Sequence, residues 1–252
     1  MDTLLVSGAT IAGLLVGGAL DPLGQRSADL SRLADERRLA SGTDDSDRPA
    51  PVEGTVPNLL PSGSAPARTA AAALLTAALF GGAAAHFGRQ LLLAPFCVFF
   101  AMLVVISVTD LSHRLVPRRL LYAALALIVP LLVGASAIDH QWRDLTGSAV
   151  AGGVAFGLFF GVWWFVPRGM GFGDVRLAAV IGITVGYLSL LHAYVAFLSG
   201  FIVGMLFGVL MMVISASGRK TRIPFAPSLA TGAVIAVFWG GPIAQSLFHA
   251  GS

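Results

Sequence analysis

In roughly four fifths of this chain, everything beyond Glu53, only four acidic side chains occur: Asp110, Asp139, Asp144 and Asp174. That scarcity constrains the fold more than any other feature. A soluble surface is kept hydrated by charge, and with 56% hydrophobic residues against 12% charged there is more apolar surface here than a water-soluble core can hide. The solvent such a chain fits is the bilayer, and in a bilayer each remaining acid needs a reason to be there.

Apolar runs of roughly 17 to 25 residues, long enough to cross a ~30 Å hydrocarbon layer, can be drawn at residues 4–20, 69–85, 91–109, 120–138, 147–166, 175–191, 193–215 and 227–248. The fold class this predicts is all-α, a polytopic membrane protein with about eight transmembrane helices. The sixth and seventh runs are separated only by Ser189 and His192. Their joint length nevertheless suits two passes better than one. The start Met1-Asp2-Thr3 lacks the basic residues of a secretory signal, so residues 1–20 are expected to stay as a first span.

Basic residues then set the orientation. With the N-terminus outside, fourteen of the sixteen Lys and Arg fall on one side, leaving only Arg89 and Arg143 opposite. This is the bias of a cytoplasmic face. The expected location is the cytoplasmic, or inner, membrane. The basic residues lie at the ends of apolar runs and not in one aromatic-interleaved patch, so no nucleic-acid partner is expected, whereas membrane lipid is.

Residues 21–68 form the one long polar segment. Ser27 to Leu39 could make an amphipathic helix. Residues 41–66 are rich in Asp, Ser, Gly and Pro, a largely flexible cytoplasmic loop by composition. Cys97, the lone cysteine, reads as a small buried hydrophobe; no cofactor and no metal is expected, since the histidines His86, His192 and His249 sit at outer ends without ligand spacing.

Topology divides the four acids. Asp139 and Asp144, separated by His140, Gln141, Trp142 and Arg143, belong to an outer connector. Asp110 closes the third span and Asp174 opens the sixth, so these two alone can meet on the cytoplasmic side. Asp174 ends the run Gly169-Met170-Gly171-Phe172-Gly173-Asp174, whose alternating glycines allow a tight turn or close approach of another segment. The run lacks the Lys-Ser/Thr ending of a phosphate-binding loop. Two carboxyls brought together at a membrane edge cannot both ionise cheaply and share one proton. The ionised partner can then take a proton from an attacking water while the protonated one supports the carbonyl oxygen. This is aspartic-protease chemistry.

Three stretches in order, Thr109-Asp110-Leu111-Ser112-His113-Arg114-Leu115-Val116-Pro117, the Gly169–Asp174 run continuing to Leu177, and Ile223-Pro224-Phe225-Ala226-Pro227-Ser228-Leu229-Ala230, resemble the prepilin peptidases, the GxGD membrane aspartic proteases. The resemblance runs from about Leu91 to the C-terminus. It implies that Asp110 and Asp174 are a catalytic pair supported by Gly169, Gly171, Gly173, Pro117 and Pro224. It also implies that residues 69–252 form the peptidase core, with 223–230 near the site. The substrates implied are type IV prepilin or pseudopilin precursors, cut on the cytoplasmic side of a basic leader. Many members carry two Cys-x-x-Cys pairs after the first span and also methylate the new N-terminus; residues 21–68 hold no cysteine, so the resemblance is to a short, peptidase-only form. On the residues alone, a proton- or ion-coupled transporter and an inactive secretion-system scaffold stay open as alternatives, because intramembrane carboxylates also mark ion pathways.

Overall fold

The computed structural model describes residues 3–19, 65–88, 90–113, 118–166, 171–214 and 225–249. Within them lie eight helices: α1 (Thr3–Ala19), α2 (Ala65–Phe87), α3 (Leu93–His113), α4 (Arg118–Asp139), α5 (Trp142–Phe165), α6 (Phe172–Gly186), α7 (Leu190–Ile214) and α8 (Ala226–His249). The protein is a polytopic membrane protein. Six of the helices are long and apolar enough to cross a membrane, α1 is a shorter apolar helix, and α6 has only 15 residues.

Each predicted span corresponds to one helix, with differences at the ends. Helix α2 begins at Ala65, inside the expected loop, and α4 and α5 approach so closely that only His140 and Gln141 separate them, His140 turning the chain with a φ of 55°. The amphipathic stretch Ser27 to Leu39 and most of the polar segment lie outside the described residues. The sixth span was drawn to residue 191, yet α6 ends at Gly186. What restarts the helix is Ser189, whose hydroxyl accepts the His192 backbone N–H at 3.2 Å and contacts the His192 Nδ1 at 2.7 Å. It thereby caps the first turn of α7.

Helix α3 is the hub, with Phe96, Phe99, Phe100, Leu103 and Ile106 essentially fully buried. Phe96 stacks on Phe87 of α2 at 4.6 Å and Phe100 on Phe238 of α8 at 5.6 Å between ring centroids. In a lipid setting water does not drive helices together, so close van der Waals packing and interhelical hydrogen bonds hold the bundle.

Two seams show this most clearly. Between α5 and α6, a Cβ on Gly182 would stand 2.7 Å from the Ala151 carbonyl oxygen, and the Ser148 hydroxyl donates to the Ile183 carbonyl at 2.6 Å. Between α7 and α8, a Cβ on Gly232 would overlap the Ala196 carbonyl oxygen and the backbone of Gly200. Because those obstacles are backbone, Gly232→Ala is expected to force the two helices apart and cost about 1–3 kcal/mol. Thermal unfolding in detergent checks this, with Gly134→Ala, where a Cβ meets nothing within 4 Å, as the comparison that stays at or above wild type.

Helix α6 sits inside this frame. Nine of its 15 residues are buried, on more than one face, so it meets neighbouring helices over most of its surface while α4, α5 and α7 carry the lipid-facing side chains. At its far end Tyr187 is tied to Ser136 of α4 by a buried 2.8 Å hydrogen bond between hydroxyls.

Candidate active site

Antiparallel order brings one end of α3, α6 and α8 to the same side of the bundle: the last turn of α3, which holds Asp110, and the first turns of α6 and α8. Asp110 is 6% exposed. Its Oδ2 accepts the backbone N–H of Ala226, the first residue of α8, at 3.2 Å. A helix N-terminus leaves its first N–H groups without intrahelical partners, and when that terminus is buried an acceptor must be supplied from elsewhere. A carboxylate suits the position further, because the N-terminal end of the helix dipole favours negative charge. The local fold of α8 thus orients the Asp110 side chain from 116 positions away in sequence.

Asp174 stands in the first turn of α6. Its Oδ2 accepts the Gly171 backbone N–H at 3.2 Å while its own N–H donates to the Gly171 carbonyl at 3.0 Å. The acidic side chain reaching back to the residue that precedes the helix is half of the reciprocal arrangement that closes many helix starts. Asp110 and Asp174 are near enough for their charges to act on each other, so two acids 64 positions apart share one end of the bundle.

Of the other residues the motifs singled out, Gly173 lies in the first turn of α6 and Gly171 immediately before it. Gly169, Pro117 and Pro224 fall outside the described residues. Gly171 departs from the reason expected for it: its φ of −76° and ψ of 145° are open to any residue, and a Cβ there would make ordinary contacts with the Asp174 Oδ2 at 3.5 Å and the Gly173 nitrogen at 3.9 Å. Backbone freedom is therefore not what glycine provides here. Gly171→Ala is expected to fold normally, with thermal stability unchanged or raised by about 0.4–1 kcal/mol through the unfolded chain.

Asp139 closes α4 and Asp144 lies in the first turn of α5, both at the other end of the bundle. Near that other end His86 and His192 come within electrostatic reach of each other, a pairing of α2 with α7 that spacing did not reveal. Trp142 and Trp164 are 53% and 65% exposed near helix ends, as interface anchors should be. The contact that sequence reasoning left unspecified is the Ala226 N–H; the signal for it was the 223–230 stretch, which was expected near the site without a role.

Residues 97–213 match the type IV leader peptidase family. The chain is 34% identical over 177 residues to a prepilin leader peptidase/N-methyltransferase of Bacillus subtilis (strain 168), covering 69% of this chain and 66% of that protein. It is 29% identical to proteins of the same description from Stutzerimonas stutzeri and Pseudomonas aeruginosa. Those matches cover 67% and 69% of this chain and 57% and 59% of theirs. The chain thus spans between 57% and 66% of the length of these relatives. No solved structure matches it.

Proposed function

The chain is a homologue of the prepilin leader peptidases and carries the type IV leader peptidase domain over residues 97–213, and on that premise we propose that it is a membrane aspartic endopeptidase that removes the basic leader of type IV pilin-like precursors. Asp110 and Asp174 are its acid and base. What supports this reading is that, of the four acids inside the matched domain, Asp110 and Asp174 lie at one end of the bundle within reach of each other's charge, while Asp139 and Asp144 lie at the other. That end is the cytoplasmic face in this reading, with the N-terminus of α1 outside, as the distribution of Lys and Arg requires. A pair at the rim meets a scissile bond held at that depth by the precursor's own apolar helix. With no cysteine in residues 21–68, leader removal without methylation is the activity proposed. A transporter is disfavoured because its acids would sit near the bilayer midplane.

The test is co-expression with a pilin-like precursor, reading the mass of the processed product. Cleavage at the leader junction with an unmethylated N-terminus supports the proposal. An intact precursor beside well-expressed membrane-inserted protein would remove it. Proton sharing adds an expected pH profile. The pair works with one proton between its two carboxyls, so the rate falls in acid as the second proton binds and falls in alkali as the shared proton leaves. Initial rates on a detergent-solubilised precursor give the profile, and an alkaline limb that never descends while the protein stays folded counts against the shared proton.

A further inference from the structure

Arg176 lies two residues beyond Asp174, yet among the described residues its guanidinium pairs with no acid. It rests 4.4 Å over the ring of Phe172 and 5.8 Å from that of Tyr122 on α4, and among the described residues these ring contacts are the ones it makes. A guanidinium that rests over an aromatic ring spends none of its N–H donors on that contact, which leaves the fork that can grip a phosphate or carboxylate in two bonds.

The surroundings say which anion. Tyr122 is 55% exposed and Trp164, at the same end of neighbouring α5, is 65% exposed, so this edge faces lipid. Arg118 and Arg119, both exposed, precede Tyr122 by four and three residues and therefore flank it on one face of α4. Three cations and an aromatic ledge, set where apolar helix sides give way to polar ends, match a group that is anionic at the top and apolar below. We propose that Phe172, Tyr122 and Arg176, with Arg118 and Arg119 beside them, form a headgroup site for an anionic phospholipid of the leaflet bordering Asp110 and Asp174. The acyl chains of that lipid lie along the exposed apolar side of α4.

The site stands independently of the peptidase reading, and its test needs no cleavage. The wild-type protein, Arg176→Gln, Arg176→Lys and Arg143→Gln are placed in nanodiscs of mixed phosphatidylglycerol and phosphatidylcholine. Lipid retained after extraction into mild detergent is then counted by native mass spectrometry. Wild type is expected to retain phosphatidylglycerol over phosphatidylcholine, Arg176→Gln to lose about fivefold of it, Arg176→Lys to fall between, and Arg143→Gln, at the other end of the bundle, to match wild type. Equal retention by Arg176→Gln and wild type overturns the site. Displacement of the lipid by millimolar inorganic phosphate also overturns it, because a soluble anion would then be the ligand. If Arg176→Gln does not fold, a headgroup-photoreactive phosphatidylglycerol on wild type decides. Labels on the first turns of α4 and α6 support the site, and labels confined elsewhere refute it.

Discussion

Asp110→Asn and Asp174→Asn are each expected to lower the rate of leader removal by about 100-fold to 10,000-fold, while leaving expression and thermal stability near wild type. The reasoning is geometric. An amide has the size and shape of a carboxyl, so in Asp110→Asn the side-chain oxygen still accepts the Ala226 N–H, and in Asp174→Asn it still accepts the Gly171 N–H. What is lost is the ability to bind and release a proton, which is all that the proposed mechanism asks of either group. Loss by one residue alone is not partly rescued by the other, because one proton serves both. Asp139→Asn, at the far end of α4, is expected to cleave at the wild-type rate. Leader removal by either dyad variant at the wild-type rate would leave the aspartic mechanism without support.

Ala226→Pro is the second substitution expected to have a large effect, and it acts on a backbone atom. Ala226 is the first residue of α8 and is followed by Pro227. Proline is tolerated at that helix position because the N–H there has no intrahelical partner. The change deletes the backbone donor at the start of α8 that bonds the Asp110 Oδ2. The expected result is a kcat reduced on the order of tenfold to hundredfold, the range a misplaced catalytic group commands, with KM little changed. Ala226→Gly keeps the N–H and is expected to stay near wild type in rate. Because Ala226 is fully buried, thermal unfolding accompanies the rates. A folded Ala226→Pro protein with wild-type kcat would show that Asp110 needs no holding from α8.

The pattern of apolar runs is enough to find every helix among the described residues, because length and apolarity are what the bilayer selects. It placed ends less well wherever a cap or a tight turn decides them. Residues 187–191 read as more of the sixth span because the turn at 187–189, with Tyr187 buried, and the exposed Leu190 and Leu191 that open α7 are as apolar as the helix before them. Only the hydroxyl of Ser189, capping α7, marks where one helix stops and the next begins. The grouping of Asp110 with Asp174 followed from counting crossings. The way each is held did not, because a bond from Ala226 to Asp110 joins positions 116 apart and involves a main-chain atom that no residue type announces. The alternating glycines of the Gly169–Asp174 run suggest a tight turn or close approach of another segment, whereas the torsion angles of Gly171 are ordinary. Arg176 was counted as one of fourteen topology markers, although the two rings that hold it sit four residues before it on its own helix and on α4.

The length of α6 bears on how a substrate must be presented. From the Ser136–Tyr187 hydrogen bond, α4 takes eighteen residues to reach Arg118, but α6 takes only thirteen to reach Asp174. At 1.5 Å per residue the shortfall is about 7 Å. Counted along the two helices, Asp174 therefore stands level with the second turn of α4, near Tyr122, and not with its first residue Arg118. Under the proposed function the pair is still at the membrane edge, but a precursor would reach it only by extending its leader junction past that first turn as an unwound strand.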